Sequence, residues 1–342
     1  MPILAPLGPS PLSEVFTYSN LPSPVEMATG KDYRHSKAGI LSKLPPSIKP
    51  YAELLRIHRP LGYYLNISPY VVGVAYTAAI APVSLPATVL LNRLIILSLW
   101  GFLIRSGGCA WNDLIDMDID RQVSRTKLRP LPRGAISPTS AALLTAIIFG
   151  CGGLLLLLLP SQCTVEAGII LFFALLYPFG KRFSDYPQLI LVNIAWAIPM
   201  AMSSLEVDPL DFPYSTLSMC IFIASVIVMI DVVYACQDAE EDKKIGARSM
   251  AVRYSDITDQ LAYGFFFSGA ISLLLGGVLR GLGLPFIVFS VGGHIFGFLR
   301  FLSVTLGEGT KSASVESRAK SSCLLATVFW VLGFFLEYLA RS

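Results

Sequence analysis

Two clusters of acidic residues stand out because each lies directly beside a strongly apolar stretch of the chain. The first occupies residues 112–120 and reads Asn-Asp-Leu-Ile-Asp-Met-Asp-Ile-Asp. The second occupies residues 231–242 and reads Asp-Val-Val-Tyr-Ala-Cys-Gln-Asp-Ala-Glu-Glu-Asp. Carboxylates beside apolar, membrane-length segments are costly and usually functional. The economical interpretation is that the two clusters together hold divalent cations and that the cations hold a diphosphate.

The spacing of the first cluster suits a metal site at the end of a helix. Asp113, Asp116 and Asp120 follow i, i+3, i+7 and share one helix face, and Asn112 lies one turn before Asp116. Asp118 falls off this face and is expected to point to water. Like charges on one face repel, so a bound cation would compensate them. Mg²⁺ prefers oxygen ligands and commonly combines one or two carboxylates with phosphate oxygens.

The second cluster repeats this arrangement. Asp231, Asp238 and Asp242 follow i, i+7, i+11 and line one helix face, with Tyr234 on the same face. A solvated charged surface would not require two matched copies. The pattern therefore predicts a second group of cation ligands.

The composition predicts a polytopic membrane protein. Of 342 residues, 54% are hydrophobic and 14% are charged, whereas soluble domains carry about 25% charged residues. The net charge of +3 is too small to suggest a nucleic-acid partner. The six cysteines include no C-x-x-C pair, so we expect neither zinc nor disulfides.

Every strongly apolar run has the length of a helix, which predicts an all-α fold. We expect a polar tail over residues 1–50 and a membrane domain over residues 51–342. The pattern indicates about nine spans. Their predicted positions are 61–81, 91–111, 139–159, 165–180, 188–204, 216–236, 260–279, 284–302 and 321–340.

The distribution of lysine and arginine predicts the orientation in the membrane. The loops after the second, fourth, sixth and eighth predicted spans carry most of the basic residues, so they and both acidic clusters should face the cytosol. The first 50 residues lack the apolar core of a secretory signal, and they contain a single arginine, Arg34. We therefore expect an endomembrane location, in the endoplasmic reticulum or Golgi, with the mitochondrial inner membrane as the alternative.

Four sequence stretches carry a family resemblance. Residues 108–134 contain N-D-x-x-D-x-x-x-D, then Arg121, R-T and R-P-L, and they resemble the UbiA family of membrane prenyltransferases. The second acidic cluster is similar to that family's second aspartate-rich region. Further matches are Y-P-F-G-K-R at 177–182 and R-I-H-R-P-L-G at 56–62. One departure is His58, because related enzymes often have an acid there.

The resemblance implies a nine-helix bundle around a central cavity. It also implies Mg²⁺-dependent transfer of a prenyl group from a prenyl diphosphate to an aromatic acceptor. On this hypothesis the ligands of one Mg²⁺ are Asp113, Asp116 and Asp120, and those of another are Asp238 and Asp242. The candidate cations for the diphosphate are Lys181, Arg125 and Arg129. Tyr177 and Tyr234 would offer π faces to a carbocation, and Asp231 is a possible base or orienting group.

Three polar residues within or next to apolar helices leave alternatives open. Arg105 lies seven residues before Asn112 and so on the same face, where it would bind phosphate or an acceptor carboxylate, or else form a structural salt bridge. Asn66 would orient the acceptor or make a helix–helix hydrogen bond. Arg59 lies seven residues before Asn66 and has the same two interpretations.

Competing functions remain within and outside the family. One is a biosynthetic enzyme that prenylates a phenolic acid or polyketide in meroterpenoid synthesis, with farnesyl as the expected donor. Another is the 4-hydroxybenzoate polyprenyltransferase of ubiquinone synthesis. A secondary transporter is a distant alternative, because transporters place their acids near the midplane in broken helices. A soluble terpene synthase is excluded by the apolar spans.

Overall fold

The fold is a bundle of helices. The computed structural model describes residues 40–124, 126–236, 239–244, 246, 248–308 and 313–341, and within these ranges all regular structure is helical. Asp238 and Arg125 lie outside the described residues, and the side chains of Asp242 and Lys181 are likewise not described.

Long helices alternate with short ones along the chain. The helices that form the bundle are α2 (Pro60–Ile80), α3 (Ala87–Ile115), α5 (Pro138–Leu156), α6 (Cys163–Phe183), α9 (Pro213–Ala235), α12 (Thr258–Val278), α13 (Gly292–Glu308) and α14 (Ala313–Arg341). The shorter helices are α1 (Lys49–Leu54), α4 (Met117–Asp120), α7 (Gln188–Leu191), α8 (Ala197–Ser204), α10 (Ala239–Lys244) and α11 (Met250–Arg253). A 3₁₀ segment, Val192–Trp196, joins α7 to α8, and a π-helical turn, Phe286–Val291, leads into α13.

Seven helices in the described ranges are long and apolar enough to cross a membrane. They are Ala87–Ile115, Pro138–Leu156, Cys163–Gly180, Pro213–Ala235, Ser255–Val278, Phe286–Gly307 and Ser314–Arg341. The predicted first and fifth spans are also helical, as α2 and as the shorter apolar segment Gln188–Ser204, but neither meets these criteria. The all-α prediction is therefore confirmed, whereas the count of nine spans is not.

Helix α9 is the centre of the bundle. Its apolar stretch is 72% buried, against 22–50% for the other six candidate spans. It packs against α12 along its length and against the 3₁₀ segment and α8 on another side. Phe222 and Met229 are fully buried in this core. The second acidic cluster begins on this helix, so its first residues are held by the best-packed element of the fold.

Helix α3 packs against α2, α5 and α6, and it ends at the first acidic cluster. Trp100 anchors it, because the buried indole donates a hydrogen bond to the Tyr70 hydroxyl of α2 at 2.9 Å. The Tyr63 hydroxyl donates to the Leu55 carbonyl at 2.5 Å and contacts Ser106 Oγ at 3.1 Å. These bonds fix α2, α3 and the segment after α1 relative to one another.

A layer of loops and short helices covers one end of the bundle. We call this the basic end, because it carries the basic loops 121–133, 181–182 and 243–253. Leu54, Leu131 and Ile136 pack together in a small apolar cluster that joins α1 to the loop after α4. The Arg133 guanidinium, which is mostly buried, bonds to Glu53 at 2.5 Å. The loop after α4 is thus packed onto the bundle.

Glu337 stabilises the opposite end. Its buried carboxylate accepts hydrogen bonds from the backbone N–H groups of Gly283, at 2.8 Å, and Phe286, at 3.2 Å. The first turn of a helix leaves such donors without partners, so an acceptor from a neighbouring helix substitutes for a local cap. Glu337 therefore has a structural role between α14 and the π-helical turn.

Substitutions at Glu337 test whether its carboxylate caps the backbone N–H groups or whether the side chain only fills space. We expect Glu337→Ala to lower the unfolding free energy by about 1–3 kcal/mol, because two buried donors lose their acceptor. Glu337→Gln keeps a carbonyl oxygen and should lose much less. Thermal unfolding of both variants in detergent measures the difference. Equal losses for the two variants would contradict the capping role.

Candidate active site

A cavity of about 660 Å³ runs from the basic end into the bundle. Its walls come from α2, α3, α6 and α9, together with the loop after α4 and parts of α7 and α14. Every predicted site residue whose side chain is described lines this cavity. These residues are Arg59, Asn66, Arg105, Asn112, Asp113, Asp116, Asp120, Arg129, Tyr177, Asp231 and Tyr234.

The first acidic cluster lies on one face despite a bend in the backbone. Helix α3 ends at Ile115 and α4 begins at Met117, yet the Asp116 N–H still bonds to the Asn112 carbonyl at 2.9 Å. The Asp120 N–H bonds in turn to the Asp116 carbonyl at 2.8 Å. Helical spacing therefore continues through the bend, and it directs both carboxylates toward the cavity.

Arginines from two separate segments form ion pairs with Asp113 and Asp120. Arg56, before α2, bonds to both oxygens of Asp113 at 2.6 and 2.8 Å. Arg129, in the loop after α4, bonds to Asp113 at 3.0 Å and to Asp120 at 2.6 Å. The carboxylates are almost completely buried, so pairing of this kind is what makes their burial tolerable.

Asp116 has a different environment from Asp113. The guanidinium of Arg182 lies 3.7 Å from Asp116 Oδ1. Arg182 also donates to the Ile115 carbonyl at 2.8 Å, where its positive charge complements the carboxyl end of α3. Arg182 therefore contacts both Asp116 and the carboxyl end of α3.

The donor set fits a hard divalent cation. Asp116 and Asp120 offer buried oxygen atoms and Asn112 a partly buried one on the same face, and oxygen is the ligand type that Mg²⁺ prefers. Within the described side chains, no three acidic, histidine or cysteine groups converge into a complete metal site. The predicted second half of the ligand set, Asp238 and Asp242, is not among those side chains.

Helix α9 contributes Asp231 and Tyr234 to the cavity wall. The Tyr234 hydroxyl is buried and has no hydrogen-bond partner among the described residues. Buried hydroxyls are normally satisfied, so an orphaned one in a cavity wall points to a ligand. The ring of Tyr234 also lies 6.4 Å from that of Phe301, and this contact helps to hold its orientation.

Arg105 is the polar group deepest in α3 that lines the cavity. In the described part of the chain no hydrogen bond or salt bridge reaches its guanidinium, and its Nε atom is buried. The guanidinium packs against Gly62, where a Cβ atom would lie 2.5 Å from Nη2. The structural salt bridge considered from the sequence is thus absent from the described residues. An unpaired arginine in this position favours binding of an anionic ligand.

Asn66, on α2, lines the same cavity as Arg105. Its side-chain amide donates to the Gly62 carbonyl of its own helix at 3.1 Å. This hydrogen bond therefore forms within one helix, whereas the sequence suggested a hydrogen bond between two helices. The side chain remains part of the cavity wall.

His58 lies outside the cavity lining that the structure describes. Burial, together with the positive charges of Arg59 and Arg56, lowers its pKa to about 4. The ring is therefore neutral at pH 7 and does not replace the negative charge of an acid.

Sequence reasoning missed several residues of the cavity wall. Arg56 was noticed only as the start of a motif, and Arg182 only as the neighbour of Lys181. Gln188, whose side-chain oxygen accepts from the Met250 N–H at 3.2 Å, was also missed. A basic or amide residue within a matched motif was the available signal for all three.

Comparisons with known proteins agree with this architecture. The model of the UbiA prenyltransferase family matches residues 67–336. The chain is 78% identical over 315 residues to a polyprenyl transferase, ausN, of Penicillium brasilianum, covering 92% of this chain and 100% of the relative. It is 61% identical over 312 residues to the DMOA farnesyltransferase nvfB of Aspergillus novofumigatus, covering 91% of this chain and 98% of the relative.

Solved structures show the same fold. A UbiA homolog from Archaeoglobus fulgidus bound to GPP and Mg²⁺ aligns with a TM-score of 0.62 at 18% identity, covering 83% of this chain and 98% of that one. An apo UbiA homolog from Aeropyrum pernix K1 aligns with a TM-score of 0.61 at 20% identity, covering 80% and 97%. Together with the matched family model, these likenesses establish that the chain is an integral membrane protein that belongs to the UbiA prenyltransferase family.

Proposed function

We propose that this protein transfers a farnesyl group from farnesyl diphosphate to the ring of an aromatic phenolic acid during meroterpenoid biosynthesis. The observation that carries the proposal is the cavity. Buried carboxylates and guanidinium groups line its mouth, and deeper in it lies Arg105, which has no partner among the described residues. The name of the relative nvfB supports a farnesyl donor and a DMOA acceptor.

We also propose that nine helical segments cross the membrane. On this view α2 and the Gln188–Ser204 segment span it together with the seven longer helices, because both are packed inside the bundle. The basic end would face the cytosol, in accordance with its lysines and arginines. We propose an endomembrane location, because the first 50 residues contain a single arginine, whereas mitochondrial presequences are rich in arginine.

The residues at the mouth suit Mg²⁺ and diphosphate. Asp116 and Asp120, with Asn112, would hold one cation, and Asp238 and Asp242 would hold a second. Asp113 is the remaining carboxylate predicted as a ligand. Bound Mg²⁺ would supply the positive charge that stabilises a departing diphosphate. The charged diphosphate end of the donor would lie at the polar mouth, and its prenyl chain would extend into the apolar interior.

Protein cations act on the same leaving group. As the allylic C–O bond breaks, the electron pair leaves with the diphosphate, whose growing charge is stabilised by nearby guanidinium groups. Arg129 lines the mouth for this purpose. Lys181 and Arg125 are further candidates from the sequence.

The ring reaction requires a dry pocket and a proton acceptor. Tyr177 and Tyr234 line the cavity and would present their π faces to the allylic cation. A ring carbon of the phenol then forms the new C–C bond, and the proton on that carbon passes to a base. We assign this role to Asp231, which lies on the same wall as Tyr234.

Arg105 would bind the carboxylate of the acceptor. Its guanidinium has five donors in a planar fork that matches a carboxylate, and no described residue occupies them. Gly62 leaves the space in which the guanidinium lies. This placement would hold the acceptor deeper than the diphosphate.

Prenyl transfer by isolated membranes tests the proposed reaction. With Mg²⁺, farnesyl diphosphate and an orsellinate-type acid, we expect a prenylated acid that disappears on addition of EDTA. Asp116→Asn should lower the rate by about a hundredfold or more, because a charge that stabilises the transition state is lost. Products are measured by liquid chromatography and mass spectrometry.

Asp118→Asn is the matched control, because Asp118 is 78% exposed and pairs only with Arg121 among the described residues. It should keep the wild-type rate. Product from 4-hydroxybenzoate alone would instead indicate the ubiquinone pathway. Failure to form any Mg²⁺-dependent product from folded protein would refute the proposed function.

The role of Arg105 predicts selectivity for carboxylated acceptors. Arg105→Ala should lower kcat/KM for the phenolic acid by roughly ten- to a hundredfold, the usual cost of losing a hydrogen bond to a charged group. It should affect the same phenol without its carboxyl group much less. Steady-state kinetics with both acceptors measure the two losses.

Arg93→Ala provides the control for this comparison. Arg93 lies on the same helix but bonds to the Leu158 carbonyl at 2.8 Å, away from the cavity. Equal losses for the two acceptors in Arg105→Ala would contradict carboxylate binding by Arg105.

A further inference from the structure

We propose that Gln188 binds the diphosphate of the prenyl donor through the N–H groups of its side-chain amide. The inference rests on the proposed function, because it concerns the donor of the same reaction. Its basis is the orientation of the amide, the availability of its nitrogen to a ligand and the contacts that hold the neighbouring segments in place.

One hydrogen bond fixes the orientation of the Gln188 amide. Its side-chain oxygen accepts from the Met250 N–H at 3.2 Å. A backbone N–H can only donate, so the end of the amide that faces Met250 must be the oxygen. The other end, Nε2, therefore points away from Met250.

The Nε2 group of Gln188 is available to a ligand in the cavity. Gln188 lines the cavity although the residue is only 3% exposed. Within the described part of the chain, Nε2 donates to no acceptor, and it is not one of the buried side-chain atoms that are sealed off without a partner. The amide therefore presents two N–H donors to the cavity. Buried donors are normally satisfied, so these two point to a ligand with acceptor oxygens.

The segment that Gln188 contacts is packed onto the central helix. Met250 is buried and belongs to a small apolar cluster with Val228 and Val232 of α9. Because α9 is the most buried candidate span, the Met250 N–H has a well-defined place. The hydrogen bond from this group therefore holds the amide in one orientation.

Two further contacts join the same two segments. The Arg253 guanidinium bonds to the Asp185 carboxylate at 2.5 Å, and the hydroxyls of Tyr186 and Tyr254 lie 2.8 Å apart. Asp185 and Tyr186 precede Gln188, whereas Arg253 and Tyr254 follow Met250 in the chain. The amide is thus ordered before a ligand arrives, and such preorganisation reduces the entropy lost on binding.

The position of Gln188 favours the diphosphate over the acceptor as its ligand. Gln188 contacts the basic loop 243–253, from which Gly246 and Ser249 also line the cavity. This is the end at which the charged part of the donor is proposed to lie, whereas Arg105 would hold the acceptor deeper. A charged phosphate oxygen accepts a stronger hydrogen bond than a neutral group does. The bond from Met250 to the amide oxygen polarises the amide and strengthens its N–H donors further.

The decisive variant is Gln188→Glu, which keeps an oxygen for the Met250 N–H and replaces both donors with a second acceptor. We expect Kd for farnesyl thiolodiphosphate to rise roughly ten- to a hundredfold, the usual cost of losing a hydrogen bond to a charged group. Kd for inorganic pyrophosphate should rise by a similar factor, and KM for the acceptor should not change. Titration calorimetry of the full-length protein in detergent with Mg²⁺ measures both dissociation constants.

Three results would overturn the role of Gln188. Wild-type Kd values in Gln188→Glu would show that the amide only caps the Met250 N–H. A loss of affinity for farnesyl thiolodiphosphate but not for pyrophosphate would place the contact on the prenyl chain. A higher KM for the acceptor with unchanged donor affinity would place it on the acceptor.

A second variant and a matched control separate the lost donors from the added charge. Gln188→Met has a similar length, adds no charge and should weaken the binding of both probes. Gln260→Glu makes the same change at an exposed position near the start of α12, outside the cavity lining, and should bind both probes as the wild type does. Wild-type binding by Gln188→Met, or an equal loss in Gln260→Glu, would contradict the proposal.

Failure of the proposed function would be distinguishable from failure of this assignment, because the binding measurements require no turnover. A wild-type protein that binds both probes but prenylates no acceptor would refute the proposed function alone. An active wild-type protein whose Gln188 variants bind both probes normally would refute the role of Gln188 alone.

Discussion

Compensation of buried charge is the constraint on which the rest of this structure depends. Three aspartates of the first cluster lie almost fully buried beside apolar helices, a placement that costs several kcal/mol per ion without partners. Arg56 and Arg129 supply those partners from segments far apart in sequence. The segment before α2 and the loop after α4 must therefore be packed where they are, and the cover at the basic end follows from this electrostatic requirement.

The central position of α9 explains how Asp231 and Tyr234 are held. Because this helix is buried over most of its apolar stretch and α3 packs farther out, the cavity lies between a rigid wall and a second wall fixed by Tyr63 and Trp100. Hydrogen bonds in the apolar interior find little competition from water, so they hold α3 strongly against α2. Both carboxylate-bearing walls are thus set before any ligand binds, as preorganised electrostatic stabilisation requires.

The sequence predicted the helices well because apolar periodicity and length are local properties. Each predicted span coincides with a helical segment, including 188–204, where the 3₁₀ segment interrupts an apolar run. The number of spans was less predictable, since α2 carries polar groups such as Asn66. The pairing of Arg56 with Asp113 could not be predicted, because it joins residues 57 positions apart through a bend that only the packed fold defines. Asn112, Asp116 and Asp120 were predictable because helical spacing alone relates them.

Two residues that line the cavity depart from the usual preferences for helix interior and backbone conformation. Their side-chain contacts distinguish a functional role from ordinary turn geometry. Arg105 lies inside an apolar helix, and its guanidinium has no partner in the described ranges. Arg56 occupies a backbone position at which glycine is favoured. Glu206 departs from preference in the same backbone manner, but its side chain is exposed and contributes no buried pair. A residue other than glycine can therefore occupy the left-handed position that ends a helix without having any further role. Where the strained residue also directs a buried guanidinium at a cavity, the side chain accounts for the choice, since glycine would end the helix better.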